Sequence, residues 1–446
     1  MATRFVTVDR ETPMLLPPDL REWVPADHLV HFIMDAVEQL DVRTARVNER
    51  GSGSAQYPPA MMLGLLIYSY ATGVFGSRRI EHTTFDSVPV RLLCGDTHPD
   101  HDTICAFRRH NQELVAGGFA QVLELAARCG VLKVGDITVA IDGTKVLANA
   151  SKHAAVSYGR AGEQLRQVEL EIAQLLAKAD QEDNRPLQDG LTVQEELTRR
   201  HARKAKLTQA RADMEARAFA QAQAKRPTRN DPPAEPPAPP APKAQINFTD
   251  PDSRIMKAGS GAHFEQAYNA QAAVEVDSRL IVGQRVSQAP NDKEQLAPTL
   301  ATVAIPEVNV NEVLVDSGFV SEAAVQEIEH DADGQPTGCQ VLAPTGRIRH
   351  GRTVADLEKR DDPPAPPADA PFLARLAHRT ATRVGRERYK LRQQTIEPVF
   401  GIIKAALGFR RFQLRGLGQV AHEWTLVTLA YNLRRLHHLG ARLAPA

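Results

Sequence analysis

Apolar positions in this chain change period from region to region, and the period predicts the elements. Near the N-terminus the spacing is helical: Leu29, Phe32, Ile33, Ala36 and Leu40 recur every three or four residues behind Asp27, a candidate cap for a helix over 28–40. Met61 to Phe75 is the most apolar run; it is too short and too interrupted by Gly, Ser and Tyr to span a bilayer, so it reads as a buried helix. Further helices are predicted over 77–94 and 102–129, separated by the turn-rich Gly95-Asp96-Thr97-His98-Pro99-Asp100. The pattern then shortens. Ile137-Thr138-Val139-Ala140-Ile141 runs into Asp142-Gly143-Thr144, which predicts a buried strand ending at the aspartate. Residues 268–276 and 280–286 alternate as two strands around Asp277-Ser278-Arg279, a hairpin. Glu312-Val313-Leu314-Val315 leads into Asp316-Ser317-Gly318 and a helix opening at Ser321, and Gln340-Val341-Leu342-Ala343-Pro344 closes the strand set.

Between the first strand and the hairpin lies a long helical stretch. Leu165, Val168, Ile172, Leu175 and Ala179 keep a three-four spacing until Pro186 and Gly190 interrupt it, and a second, basic helix around Arg199-Arg200-His201-Ala202-Arg203-Lys204 runs to about Lys225. These predict an antiparallel helical hairpin over 159–226. It can reach along a nucleic acid or pair with another subunit, though charged helix faces are commonly just solvated. Eight prolines between Pro227 and Pro242 make 227–244 an extended linker. Asp292 to Val303 is predicted as a helix, and a second proline-rich break, Asp361 to Pro367, precedes the stretch Tyr389 to Lys404. Pro398 there is awkward for a continuous helix, so Glu397 is expected at a bend. The last helix, Glu423 to Leu439, carries Leu426, Leu429, Ala430, Leu433 and Leu436 on one face and is expected to close the core.

Three carboxylates stand out in this pattern. Asp142 and Asp316 each follow a short apolar run, and Glu397 lies among apolar residues with Lys404 seven positions on, close to the same face of an α-helix. An Asp-Gly pair also caps a turn well, and for Asp142 alone that reading stands beside the chemical one. Three carboxylates together can hold two divalent cations of the Mg²⁺ type, which stabilise the attacking and leaving oxygens of a phosphoryl transfer. Asp250, Asp252 and Asp292 are read as turn and cap residues, and His153 and His263 as structural.

The ordered set of motifs resembles a DDE transposase of a bacterial insertion sequence. It comprises Pro58-Pro59-Ala60-Met61-Met62-Leu63, Asp100 to Arg109, Asp142-Gly143-Thr144-Lys145, Tyr268-Asn269-Ala270-Gln271-Ala272, Asp316-Ser317-Gly318-Phe319, Gln413-Leu414-Arg415-Gly416-Leu417 and Tyr431-Asn432-Leu433-Arg434. The resemblance spans nearly the whole chain. It implies an α/β fold with a ribonuclease H-like mixed-sheet catalytic core over 131–158 and 245–446, interrupted by the hairpin and linker and preceded by an all-α domain over 1–130. It implies that Asp142, Asp316 and Glu397 form the metal-binding triad, with Mg²⁺ as cofactor and Mn²⁺ as a substitute. Tyr389, Arg392 and Lys404 would contact DNA; Arg392 lies five residues before the glutamate, where the related signature has its arginine four before, and Gln393 fills that place. The activity implied is cleavage at the element's ends and strand transfer into target DNA. A ribonuclease H-like nuclease without joining, or a DNA-binding descendant without chemistry, are the alternatives.

Charge and cysteine content adjust this picture. Fifty-four Lys/Arg balance 54 Asp/Glu, yet from Arg375 to Ala446 there are 14 Lys/Arg against Glu387, Glu397 and Glu423, a net of +11. A basic C-terminal region beside a phosphate-handling site suits double-stranded DNA as partner. Arg108 and Arg109, on a short helix of the N-terminal region, are candidates for reading inverted-repeat ends, with packing or dimerisation as the alternative use of that domain; a homodimer is expected in the end-joining complex. Four cysteines without a Cys-x-x-Cys pair signal neither zinc nor disulfides, and Met1 to Asp9 has no signal-peptide core, so a bacterial cytoplasmic, non-membrane location is expected.

Overall fold

The computed structural model describes residues 19–47, 55–179, 192–224, 239–257, 263–303, 305–345, 362–367 and 369–443. The breaks expected at Pro186 and Gly190 and linker residues 227–238 lie outside them. Contacts divide the chain into two units: residues 1–134, 305–307 and 425–446 form one, and 135–304 with 308–424 the other.

The first unit is helical: α1 (Leu29–Glu38), α2 (Pro59–Ala71), α3 (Ser77–Asp86), α4 (Val88–Leu93), α5 (His101–His110) and α6 (Gln112–Arg128). α2 is buried along almost its whole length, from Met62 to Ala71, as its all-round apolar pattern requires. The cap of α1 is His28, whose Nδ1 accepts from Val30 N at 3.2 Å, one residue after the expected Asp27. Leu429 and Leu40 both lie against Gly118 of α6, and Arg434 donates to Ala71 O, so the end of the last helix belongs to this unit. Among the described residues no helix is long and apolar enough to cross a membrane.

The second unit is built on a mixed sheet of β1 (Gly135–Leu147), β4 (Arg254–Lys257), β5 (Phe264–Glu275), β6 (Ile281–Ser287), β7 (Val308–Leu314) and β8 (Gln340–Leu342). β1 is central. It pairs antiparallel with β5 (Asp142 opposite Ala272) and parallel with β7, which pairs parallel with β8; the far edge of β5 carries β4 and β6. The order β6-β5-β1-β7-β8, three antiparallel strands followed by two parallel ones, is a ribonuclease H-like arrangement.

Two expectations about strands and helices change here. β1 does not stop at Asp142 but continues through Gly143 to Leu147, because Gly143 to Leu147 pair in register with Gln271 to Ala267. Between Asp292 and Val303 only α9 (Leu296–Leu300) is helical. Asp316 does follow β7, one residue after Val315, and Ser321 caps α10 (Glu322–Glu329) as expected.

α7 (Tyr158–Ala179) and α8 (Val193–Ala224) bury Val168, Ile172, Leu197, Leu207, Ala210 and Met214 in a core of their own, closed at its base by Val156 of β2 (Ala155–Ser157) and Ile246 of β3 (Gln245–Asn247). The pairs Glu171–Arg200, Glu169–Lys204 and Tyr158–Glu215 ascend one helix as they descend the other, so the helices are antiparallel.

Three helices complete the chain: α11 (Phe372–Ala381), α12 (Arg383–Gly401) and α13 (Leu417–His438). α12 runs through Pro398 without ending at Glu397 and passes directly into a π-helical turn over Ile402–Ala406. There Leu407 N bonds to Ile402 O, a five-residue step that takes Lys404 off the α-helical phase assumed from its spacing to Glu397. The loop before α13 is held by carboxylates, two of them buried: Glu423 accepts from the amides of Gln413 and Leu414, Asp250 from Tyr268 Oη and Gly416 N, and the half-buried Asp252 from Leu417 N.

Candidate active site

β1 places Asp142 near the middle of the sheet, and the parallel pairing of β1 with β7 brings Asp316, two residues beyond β7, alongside it. α12 crosses β1 and supplies the charge between them. Arg392, whose side chain is only 8% exposed, has Nη2 2.9 Å from Asp142 Oδ2 and 3.9 Å from Asp316 Oδ2. One turn earlier Arg388 binds Glu312 of β7 through Nε and Nη2 and donates to Thr138 Oγ1 of β1 at 2.8 Å, which pins the helix across both strands. Each aspartate also receives a nearby amide: Gly143 N at 2.8 Å from Asp142 Oδ1, and Gly318 N at 2.8 Å from Asp316 Oδ1.

Burial pushes the Asp142 carboxyl up to about 6; the Arg392 charge opposes the rise, and the negative charge of Asp316 adds to it. Tyr389 lies in the same field. Burial raises its phenol, Arg392 acts against that, and Asp316, Asp142 and Glu397 add to the rise. Glu397 is exposed on α12, two turns beyond Tyr389 on the stripe through Gln393. Among the described residues no three His, Cys, Asp or Glu side chains are arranged to hold a metal ion. The structure thus unites Asp142, Asp316 and Arg392, sets Tyr389 among them, and leaves Glu397 outside the close carboxylate pair.

Successive strand residues face opposite ways, so Gly143 presents the other side of the sheet from Asp142. A Cβ there would lie 2.3 Å from Gln271 Nε2, 2.5 Å from Asp292 Oδ1 and 2.8 Å from Asn269 Oδ1. Asp292 Oδ1 accepts from the amides of Asn269 and Gln271, both at 2.7 Å, and stands 3.9 Å from Lys145 Nζ. Asp292 opens the turn closed by Gln295 N, as expected, but its side chain does more: it is a half-buried carboxylate beside the strand that carries Asp142. Its position in a loop has no periodic signature. Asn269 and Gln271 do have one, since two amides alternating with alanines mark a polar stripe on an otherwise apolar strand.

Lys404 donates to Lys145 O at 2.7 Å, so it reaches β1 three residues past Asp142. Burial lowers its pKa, and the charges of Lys145 and Arg410 lower it further. Arg108 is a correction. It is 3% exposed and donates to Tyr70 Oη (2.9 Å), Phe75 O (2.7 Å) and Ser77 Oγ (3.2 Å), so its guanidinium ties α5 to the α2–α3 segment and is not presented to a phosphate. Arg109, the next residue, is exposed.

Residues 18–110 match a family described as a transposase domain (DUF772), and residues 370–437 match a transposase DDE domain. Together these support a DDE transposase of an insertion sequence. No curated protein and no solved structure is similar enough to match. The DDE match covers α11, α12 and most of α13, and so includes Tyr389, Arg392, Glu397 and Lys404. DDE transposases act on DNA and generally use a divalent metal.

Proposed function

We propose that this transposase cleaves double-stranded DNA at the ends of its own insertion sequence and joins those ends to target DNA, using Asp142, Asp316 and Glu397. The observation that supports this most directly is the guanidinium of Arg392 between Asp142 and Asp316. Two carboxylates from separate strands share one positive charge there, and their hard oxygens suit Mg²⁺, or Mn²⁺ in its place. Asp142 and Asp316 would hold the metal and Glu397 would complete its ligands. A bound divalent cation supplies charge stabilisation at the scissile phosphate and lowers the pKa of an attacking hydroxyl.

The chain's own groups do the rest. Arg392, held by Asp142 and Asp316, keeps a permanent positive charge beside the place where a phosphate would bind. Tyr389 keeps its proton, because burial and surrounding carboxylates raise its pKa, and so acts as a hydroxyl donor toward DNA. Lys404 brings an ammonium to the same edge of β1. Arg109 on α5 is the exposed candidate for contacting the element's ends, and two copies of the chain would hold two ends together.

The test is a cleavage assay on labelled DNA carrying the element's ends, with Mg²⁺ or Mn²⁺, for wild type and Asp316→Asn. Metal-dependent nicking at the repeat boundary, lost in the variant, is the expected result, with joined products marking strand transfer. Tight end binding without cleavage in either metal would overturn the proposal.

A further inference from the structure

Directly beyond Asp142 on β1, a cavity of about 260 Å³ opens in the second unit, lined by Gly143, Thr144, Lys145, Lys257 and Lys404 among others. Three lysines reach it from three elements: Lys145 from β1, Lys257 from the end of β4, and Lys404 from the π-helical turn. Among the described residues no carboxylate lines it. Asp292 lies 3.9 Å from Lys145 Nζ and restrains that side chain.

Such a concentration of like charge disfavours the empty cavity. Burial and mutual repulsion lower the pKa of Lys404, and burial lowers that of Lys145 against the pull of Asp292 and Asp142. An anion seated beside these lysines reverses that penalty. The lining excludes a divalent cation for the same reason. The volume suits a phosphate with part of its sugar and is too small for a base pair. Thr144 is two residues along an extended strand from Asp142, roughly 7 Å, about one nucleotide step from the carboxylate site.

We propose that this cavity receives the phosphodiester adjoining the scissile one on the DNA strand held at Asp142, with Lys145, Lys257 and Lys404 as ligands. The inference rests on the DNA-cleaving reading and sharpens it: the strand leaves the carboxylates toward the β4 edge of the sheet.

The experiment measures binding of a fluorescent duplex carrying the element's end, in EDTA, across a salt series. Wild type, Lys257→Gln and the double variant Lys145→Gln/Lys257→Gln are compared. A parallel set of duplexes carries one neutral methylphosphonate at successive positions near the cleavage site. Losing one phosphate contact should reduce the slope of log K against log salt by about 0.9. The methylphosphonate next to the cleavage position should weaken wild-type binding and leave the double variant's binding unchanged. Lys257 is exposed, so Lys257→Gln alone carries the test if the double variant does not fold. An unchanged slope and unchanged methylphosphonate sensitivity in the lysine variants would overturn the inference. If instead Asp316→Asn cleaves like wild type, the carboxylate reading fails while the salt slope still judges the cavity. A wild type that binds no DNA overturns both.

Discussion

Among the described residues two arginines are buried, one in each unit, and their surroundings differ. Arg108, 3% exposed, donates to a phenol oxygen, a carbonyl and a serine hydroxyl within the helical unit. Arg392, 7% exposed, faces two aspartates brought together by the sheet. The first holds segments of chain in place. The second neutralises a pair of carboxylates that would otherwise repel, in a field where burial already raises Asp142. Burial of a cation therefore does not separate structure from function; the charge and origin of its partners do.

The largest effect should come from the carboxylates that Arg392 joins. Asp142→Asn or Asp316→Asn should reduce metal-dependent cleavage by about 10³-fold or more, matching the several kcal/mol a metal supplies, with end binding in EDTA retained. Arg108→Met should act oppositely. It removes the buried hydrogen bonds to Tyr70, Phe75 and Ser77 and should cost about 2–4 kcal/mol in chemical denaturation. A variant at Arg108 that melts like wild type and loses DNA binding would erase the contrast between the two arginines.

Asp142 also sets a pH dependence. In the fold it keeps its proton up to about pH 6, whereas unfolded it ionises near 3.8. Stability of the metal-free protein should thus fall as pH rises between those values, by roughly 3 kcal/mol in all. Asp142→Asn removes that fall, so thermal melting in EDTA should show the variant more stable than wild type near pH 8 and equal to it below about pH 4. The reverse ordering would mean that Arg392 outweighs burial.

Gly143→Ala should cost about 1–3 kcal/mol by overpacking against Gln271, Asp292 and Asn269, and a cleavage assay should show a parallel loss as β1 shifts. The smallest effect belongs to Arg109→Ala. Stability should change by no more than about 0.5 kcal/mol at this exposed position, while the salt slope of end binding decreases by about 0.9.

Much of this was legible along the chain. The unbroken apolar run before Asp142, the second run before Asp316 and the alternation over 268–286 were read as strands, and strands are what these segments form. Period alone suffices where one face is buried, because a slip of one residue would expose the whole apolar set. The α7–α8 hairpin was legible for the same reason, its apolar spacing matching the core it buries. What failed was local. Asp-Gly looked like a turn because turn chemistry is short-range; pairing with β5 carried β1 five residues further. Pro398 looked like a break, and packing of Ile396, Val399 and Phe400 kept the helix continuous through it.

The sequence alone determined most of the elements and their order, since each depends on near neighbours in the chain. Only the tertiary structure decided which charges meet. Arg392 and Asp142 are 250 positions apart, Lys404 and Lys145 are 259 apart, and Asp292 gained its place from a loop with no pattern. Strand order and helix crossing create those contacts, and neither is written in any local period.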